Sequence, residues 1–315
     1  MHDEKGASVT THRLDPAAET TADVMSREHR PVLAIDPGDT VIVRSLDAAG
    51  YLARQSFPGD DQPMMYPAYR GHCLTGPIQV RGAQPGDILA LRLISLRPDT
   101  WGWTVAAALD TPVTRRLGLA DGPPSWLLWE LDSDAGKATC QTGFSRSIAP
   151  FLGVMGMPPD EPGEHSTIPP RSSGGGNIDC KELVAGSTLY LPVTVPGALL
   201  YLGDGHAAQG DGEVGGTAIE CPMTTEAIVS LTSDRPVSSI HAETPAGRIT
   251  FGFSPDLNAA MGDALDAMTC WLQSLLNVDK AAALAHASTC VDMRITQVAN
   301  QTWGVHAVLP AGFLD

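Results

Sequence analysis

Between Gly203 and Glu220 the chain sets Asp204, His206, Asp211, Glu213 and Glu220 among six glycines. Hard carboxylate oxygens with one imidazole suit a divalent cation or an acid/base pair, and glycine lets the backbone take positive φ and approach a ligand closely. In an extended segment, residues two apart face the same side, so Asp204 and His206 would point together. Metal-assisted hydrolysis is the chemistry these types and spacings suggest.

Such a segment needs strands and turns to hold it, and the composition supplies them. Of 315 residues, 32 are Gly and 25 are Pro, while 18% are charged and 43% hydrophobic, a profile of short strands joined by tight turns around a substantial core. Pro37-Gly38-Asp39 and Pro85-Gly86-Asp87 read as turns leading into strands at 41–45 and 88–93. Trp126 to Leu131 reads as a buried strand. Further short strands are expected from Leu189 to Phe253. The spacing of Leu257, Met261, Ala264, Leu265, Met268, Leu272 and Leu275 then predicts a helix capped by Ser254 with Pro255 in its first turn. A second helix over 279–288 and a terminal hairpin follow. Residues 1–25 lack periodicity and are expected as a flexible tail, and residues 155–178, rich in Pro, Gly and Ser, as a long functional loop. The rest, 26–315, reads as one catalytic domain, β-rich to about 253 and α+β from 254 to 315.

A net charge of −16 repels phosphate backbones and anionic lipid, so nucleic acid and membrane are excluded as expected partners and small neutral molecules favoured. The six cysteines form no C-x-x-C pair, which argues against a zinc ribbon or redox dithiol. No apolar leader opens the sequence, and a cytoplasmic location is expected.

Several stretches together are similar to the acetamidase/formamidase family: Gly203 to Glu220, Asn177-Ile178-Asp179, Thr75-Gly76-Pro77-Ile78, Pro150 to Gly156, Asp292 to Gln297 and Gly304-Val305-His306-Ala307. The likeness spans nearly the whole chain, in family order, and its length resembles the shorter, acetamidase-type members. The resemblance implies a mainly β fold, a β-sandwich-like body with a smaller α+β C-terminal part. It also implies a cytoplasmic homo-oligomer that hydrolyses the C–N bond of small linear amides to carboxylate and ammonia. Bound divalent ions go with it, zinc first and calcium second.

An amide is a poor electrophile, so its hydrolysis needs an activated water and a stabilised oxyanion. The expected metal ligands are Asp179, Asp204, His206 and Glu220. Glu213 is the expected general base, with His206 and Asp179 as further catalytic groups. Gln209, His72 and Asn177 are expected at the substrate, and His72 or His165 as a lid residue. A metal-free alternative uses Cys180 as nucleophile with Lys181, although neighbours in a strand point oppositely. Two further alternatives are a different amide (cyclic, urea-like or larger) and a relative that binds a metal or small ligand without turnover.

Overall fold

In the computed structural model, residues 9–108, 110–233 and 237–313 are described. The fold is mainly β. Among these residues, nine strands form the largest sheet, in the order Thr11–Leu14, Thr40–Ser45, Met223–Thr232, Ile88–Pro98, Thr188–Pro192, His241–Thr244, Gly247–Ser254, Trp303–Pro310, Asp292–Gln297. Alternate residues of Met223–Thr232 are buried, as expected of a strand with one face on a core.

A six-stranded sheet covers that face. Its strands Gly175–Asn177, Phe151–Gly156, Leu200–His206, Leu74–Val80 and Thr21–Ala22 lie side by side, and Leu33–Ile35 joins Leu74–Val80 in parallel. Val41, Leu89, Leu91 and Val229 of the first sheet share one core with Ile78, Leu152, Leu200 and Leu202 of the second, which is the expected sandwich-like body. Both faces of Leu200–His206 are buried, so this strand can carry ionisable groups into the interior. A four-stranded antiparallel sheet, Ser145–Ser147, Lys137–Cys140, Ser125–Asp132 and Trp101–Ala106, forms the 101–147 excursion.

The helices Leu257–Leu276 and Lys280–Cys290 pack with Val305, Ala307 and Leu309 in a second core. The long helix lies so close to Gly252 that a Cβ there would meet the Ala264 N at 2.8 Å. Its N-cap is Asp256, whose carboxylate accepts from the Asn258 and Ala259 amides, rather than Ser254. The Ser254 hydroxyl instead accepts from the Asp256 amide, one step further out. The C-terminal strands continue the nine-stranded sheet, so the helical part shares its framework with the rest.

The flexible tail expected through residue 25 is corrected for its described part: Thr11–Leu14, Thr21–Ala22 and Val24–Met25 are strands. Residues 1–8 lie outside the described residues. Thr11–Leu14 pairs in parallel with Thr40–Ser45, and the His12 Nε2 meets Asp39 Oδ2 at 2.8 Å. Backbone pairing with distant strands orders this polar stretch, and periodicity does not report such pairing. The 155–178 stretch is likewise built into the body, with His165–Ser166 paired to Val24–Met25 and Gly175–Asn177 to Phe151–Gly156.

Candidate active site

The strand Leu200–His206 presents Asp204 and His206 at one end of the sandwich. Pairs Leu152–Gly205 and Val154–Gly203 flank Asp204, whose φ of 59° interrupts the ladder opposite Gly153. The chain also crosses Gly153 after the strand Gly175–Asn177, where the amides of Ile178 and Asp179 donate to the Gly153 carbonyl at 2.9 and 3.3 Å. Asp179, at φ 54°, thereby turns its carboxylate towards Asp204. A Cβ on Gly153 would overlap Asp204 Oδ2 and lie 2.6 Å from Asp179 Oδ1. Glycine at 153 is what lets the two acids meet.

Glu220 arrives from another direction. Its backbone exchanges hydrogen bonds with Trp103, and it bridges His206 on its other side. The His206 Nε2 lies 3.1 Å from Glu220 Oε2 and 3.3 Å from Asp204 Oδ1. Glu213, on the loop pinned to Thr296 through the Gly212 amide, completes a second trio with His206 and Glu220. Asp179, Asp204 and Glu213 all have left-handed φ. Non-glycine residues reach that region at a cost of about 1–3 kcal/mol each, and such strain gathers at functional sites.

Gln209 orients the imidazole. Its carbonyl accepts from His206 Nδ1 at 3.0 Å, and its amide donates to the Asp179 carbonyl at 2.7 Å. With Nδ1 serving as the donor, Nε2 is the nitrogen that faces the carboxylates. His72 adds a second imidazole, its Nε2 4.0 Å from Asp204 Oδ2 and its Nδ1 3.0 Å from Thr167 Oγ1.

The electrostatics are those of an overloaded acid site. Burial, reinforced by Asp204, pushes the Asp179 carboxyl well up. Burial and then Asp179 do the same to Glu213. Burial takes Glu220 up to about 7 although His206 opposes it. Burial also acts on Asp204, but His206 and then His72 outweigh it and hold that carboxyl below its ordinary range. For His206, the cost of burial is overcome by Glu220 and then Asp204, which favour the imidazolium. Four buried carboxylates around one imidazole therefore require protons or a cation for neutrality.

The donor set fits a cation. Both oxygens of Asp179 are buried without a hydrogen-bond partner, and Glu220 Oε2 and His206 Nε2 have none beyond their approach to each other and that of Nε2 to Asp204. Buried polar atoms are ordinarily paired, and oxygen donors with one imidazole suit a divalent ion. Asp179, Asp204 and His206 form one compact trio; His206, Glu213 and Glu220 form the other.

The site meets a cavity of about 270 Å³ whose wall includes Gln209, Glu213, Leu127, Trp129, Phe144 and Arg146. The four-stranded sheet supplies Leu127, Trp129 and Arg146, and the turn before its strand Ser145–Ser147 supplies Phe144.

Six of the expected site residues, Asp179, Asp204, His206, Gln209, Glu213 and Glu220, come together, with His72 beside Asp204. The Asn177 amide donates to the Ile168 carbonyl at 2.9 Å, and its Oδ1 is buried without a hydrogen-bond partner. Asp211 is outside, exposed and paired with Lys181 at 2.9 Å. His165 contacts the Glu161 carbonyl at 3.0 Å. The Cys180 thiol turns to Glu182 at 3.3 Å, and burial pushes its pKa well up, which works against a free thiolate nucleophile. Sequence reasoning missed Gly153, Thr167 and Asp47, a buried acid near enough to Glu220 to feel its charge. Asp47 sits in a bland stretch of sequence; Gly153 stands inside an apolar run, where a glycine signals close backbone approach.

A model of the Acetamidase/Formamidase family matches residues 13–162 and 161–246. A formamidase-like protein from Schizosaccharomyces pombe is 27% identical over 65% of this chain. The chain spans 64% of the length of that curated relative. The crystal structure of an acetamidase from Bacillus halodurans is 27% identical, with a TM-score of 0.84 over 96% of this chain and 98% of its own. That of an acetamidase from Yersinia enterocolitica is 26% identical, with a TM-score of 0.85 over 98% and 94%.

Proposed function

Because this chain belongs to the acetamidase/formamidase family, we propose that it hydrolyses the C–N bond of small linear amides to a carboxylate and ammonia. The observation that carries the reading is the meeting of Asp179, Asp204, Glu213 and Glu220 around His206, with Glu213 on the cavity wall.

Asp179, Asp204, His206 and Glu220 would hold a divalent cation, zinc first and calcium second, with His72 in reserve beside Asp204. When bound, the cation supplies Lewis acidity, polarising the amide carbonyl and acidifying water. Glu213 takes a proton from the attacking water and returns one to the amide nitrogen as the C–N bond breaks, so that ammonia leaves neutral. Gln209 keeps His206 turned so that Nδ1 is occupied and Nε2 faces the carboxylates. Gln209 also lines the cavity, where it would meet the substrate amide, and the Asn177 amide holds the Ile168 carbonyl. A homo-oligomeric state and a cytoplasmic location belong to the same proposal and rest on the family resemblance.

A second reading keeps the chemistry and enlarges the substrate. Leu127, Trp129 and Phe144 make one wall of the cavity apolar, which favours an acyl group larger than acetyl.

The test is ammonia release from formamide, acetamide, propionamide and bulkier amides by the wild type and Glu213→Gln. Turnover of at least one amide that the variant loses supports the reading. A folded, metal-loaded protein inactive on all of them would overturn it in favour of a binding protein.

A further inference from the structure

Behind the Asp179 turn stands a second group of donors that amide hydrolysis does not use. The Cys180 Sγ lies 3.3 Å from Glu182 Oε2, and the His306 Nε2 lies 3.4 Å from the same oxygen. All three side chains are buried, and their donor atoms fall within 4.8 Å of one another.

The far side of each ring and carboxylate is already held. The His306 Nδ1 meets Thr296 Oγ1 at 2.8 Å, and Arg294 donates to Glu182 Oε1 at 3.0 Å. What remains facing inward is one imidazole nitrogen, one carboxylate oxygen and one sulfur. The His306 Nε2 is fully buried and, apart from its 3.4 Å approach to Glu182 Oε2, has no hydrogen-bond partner. Metal-ligating histidines and carboxylates typically have their outer atoms tied in this way, which orients the inner atoms towards the ion.

Distance supports the same reading. Zinc bonds of about 2.3 Å to sulfur and about 2.0 Å to nitrogen or oxygen, at tetrahedral angles, set donors about 3.3–3.6 Å apart. The Sγ–Oε2 and Nε2–Oε2 separations lie in that range, and the Sγ–Nε2 separation is within 4.8 Å. Without an ion, the same three lone-pair donors must be kept apart by shared protons.

We propose that Cys180, Glu182 and His306 form a site for a thiophilic divalent cation of the zinc class, separate from the carboxylate cluster. Binding sends the thiol proton to solvent, uses neutral His306, and sets the cation with Arg294 against the thiolate and carboxylate. The role is structural. Cys180 directly follows Asp179, while His306 lies on the strand Trp303–Pro310, so the ion ties the left-handed Asp179 turn to the nine-stranded sheet. The proposal stands independently of the amide reaction.

Cobalt separates the two sites, because only a thiolate ligand gives the intense sulfur-to-cobalt charge-transfer absorption in the near ultraviolet. The full chain, stripped of metal and titrated with Co²⁺, is expected to develop that band. Cys180→Ser should abolish it and lower bound metal by one equivalent, His306→Gln should weaken it, and Glu220→Gln should leave it intact. Absence of the band in the wild type at saturating Co²⁺ would overturn the proposal, as would its persistence in Cys180→Ser. If Cys180→Ser does not fold, the wild-type and His306→Gln spectra decide: an unchanged band in His306→Gln also counts against the site.

Discussion

His206 and Glu220 are joined twice, as antiparallel backbone partners and through side chains 3.1 Å apart from Nε2 to Oε2. The backbone bridge removes most of the freedom the two groups would otherwise have, so their separation is a property of the sheet rather than of two mobile side chains. Catalytic geometry of this kind is held before any ligand arrives.

The pair predicts the effect of neutralising one member. Glu220→Gln keeps the shape and the hydrogen bond from Ala218 but removes a charge facing His206. Its kcat/KM for the preferred amide should fall by about 10²–10⁴-fold, with an unchanged circular dichroism spectrum. Activity within a few-fold of wild type would remove Glu220 from the machinery.

Gly153→Ala tests the meeting of the two aspartates without touching either. The added methyl group would overlap Asp204 and crowd Asp179, so one carboxylate must leave. Loss of tightly bound metal and of turnover together is expected, measured by elemental analysis and ammonia release. Retention of both would show that the acids act apart.

Chelation should act on turnover directly. Protein exhaustively treated with a strong chelator is expected to stop releasing ammonia and to recover when Zn²⁺ is restored, with Ca²⁺ as the comparison arm. Turnover that survives verified metal removal would leave Glu213 and its neighbours to act by proton transfer alone.

Asp47 carries a pH signature. Burial pushes its carboxyl from 3.8 up to about 7, against the opposing amides of Tyr51 and Ala49. The folded state thus keeps a proton that the unfolded chain gives up, and stability falls as pH rises from about 4 to about 7. The loss from this group is at most on the order of 4 kcal/mol. Asp47→Asn should gain stability relative to wild type across that window, read as the difference between two curves of unfolding free energy against pH. A flat difference would show that Asp47 is ionised when folded.

Cavity size should govern the choice of amide. Leu127→Trp adds bulk to the cavity wall that Leu127 shares with Glu213, so kcat/KM should drop more for bulky amides than for formamide. Equal losses across the series would place the acyl group elsewhere.

Much of this was legible from residue types and spacing. The density of carboxylates and glycine between Gly203 and Glu220 marked the side-chain cluster, and the two-residue spacing of Asp204 and His206 anticipated one shared direction. Apolar periodicity marked the long helix, because a helix that packs on a sheet must repeat its buried face. Composition pointed to strands and turns. Tertiary structure decided the rest. Gly153 admits two aspartates from segments distant in sequence to one point, and no local pattern encodes such a crossing. Glu213 enters the cluster while Asp211, two residues earlier, pairs with Lys181 at the surface, because backbone dihedrals in a glycine loop are set by the contacts that close it. The ordered strands before residue 25 arise in the same way: hydrogen bonds to strands distant in sequence stabilise them, and only the assembled sheets bring those partners within reach.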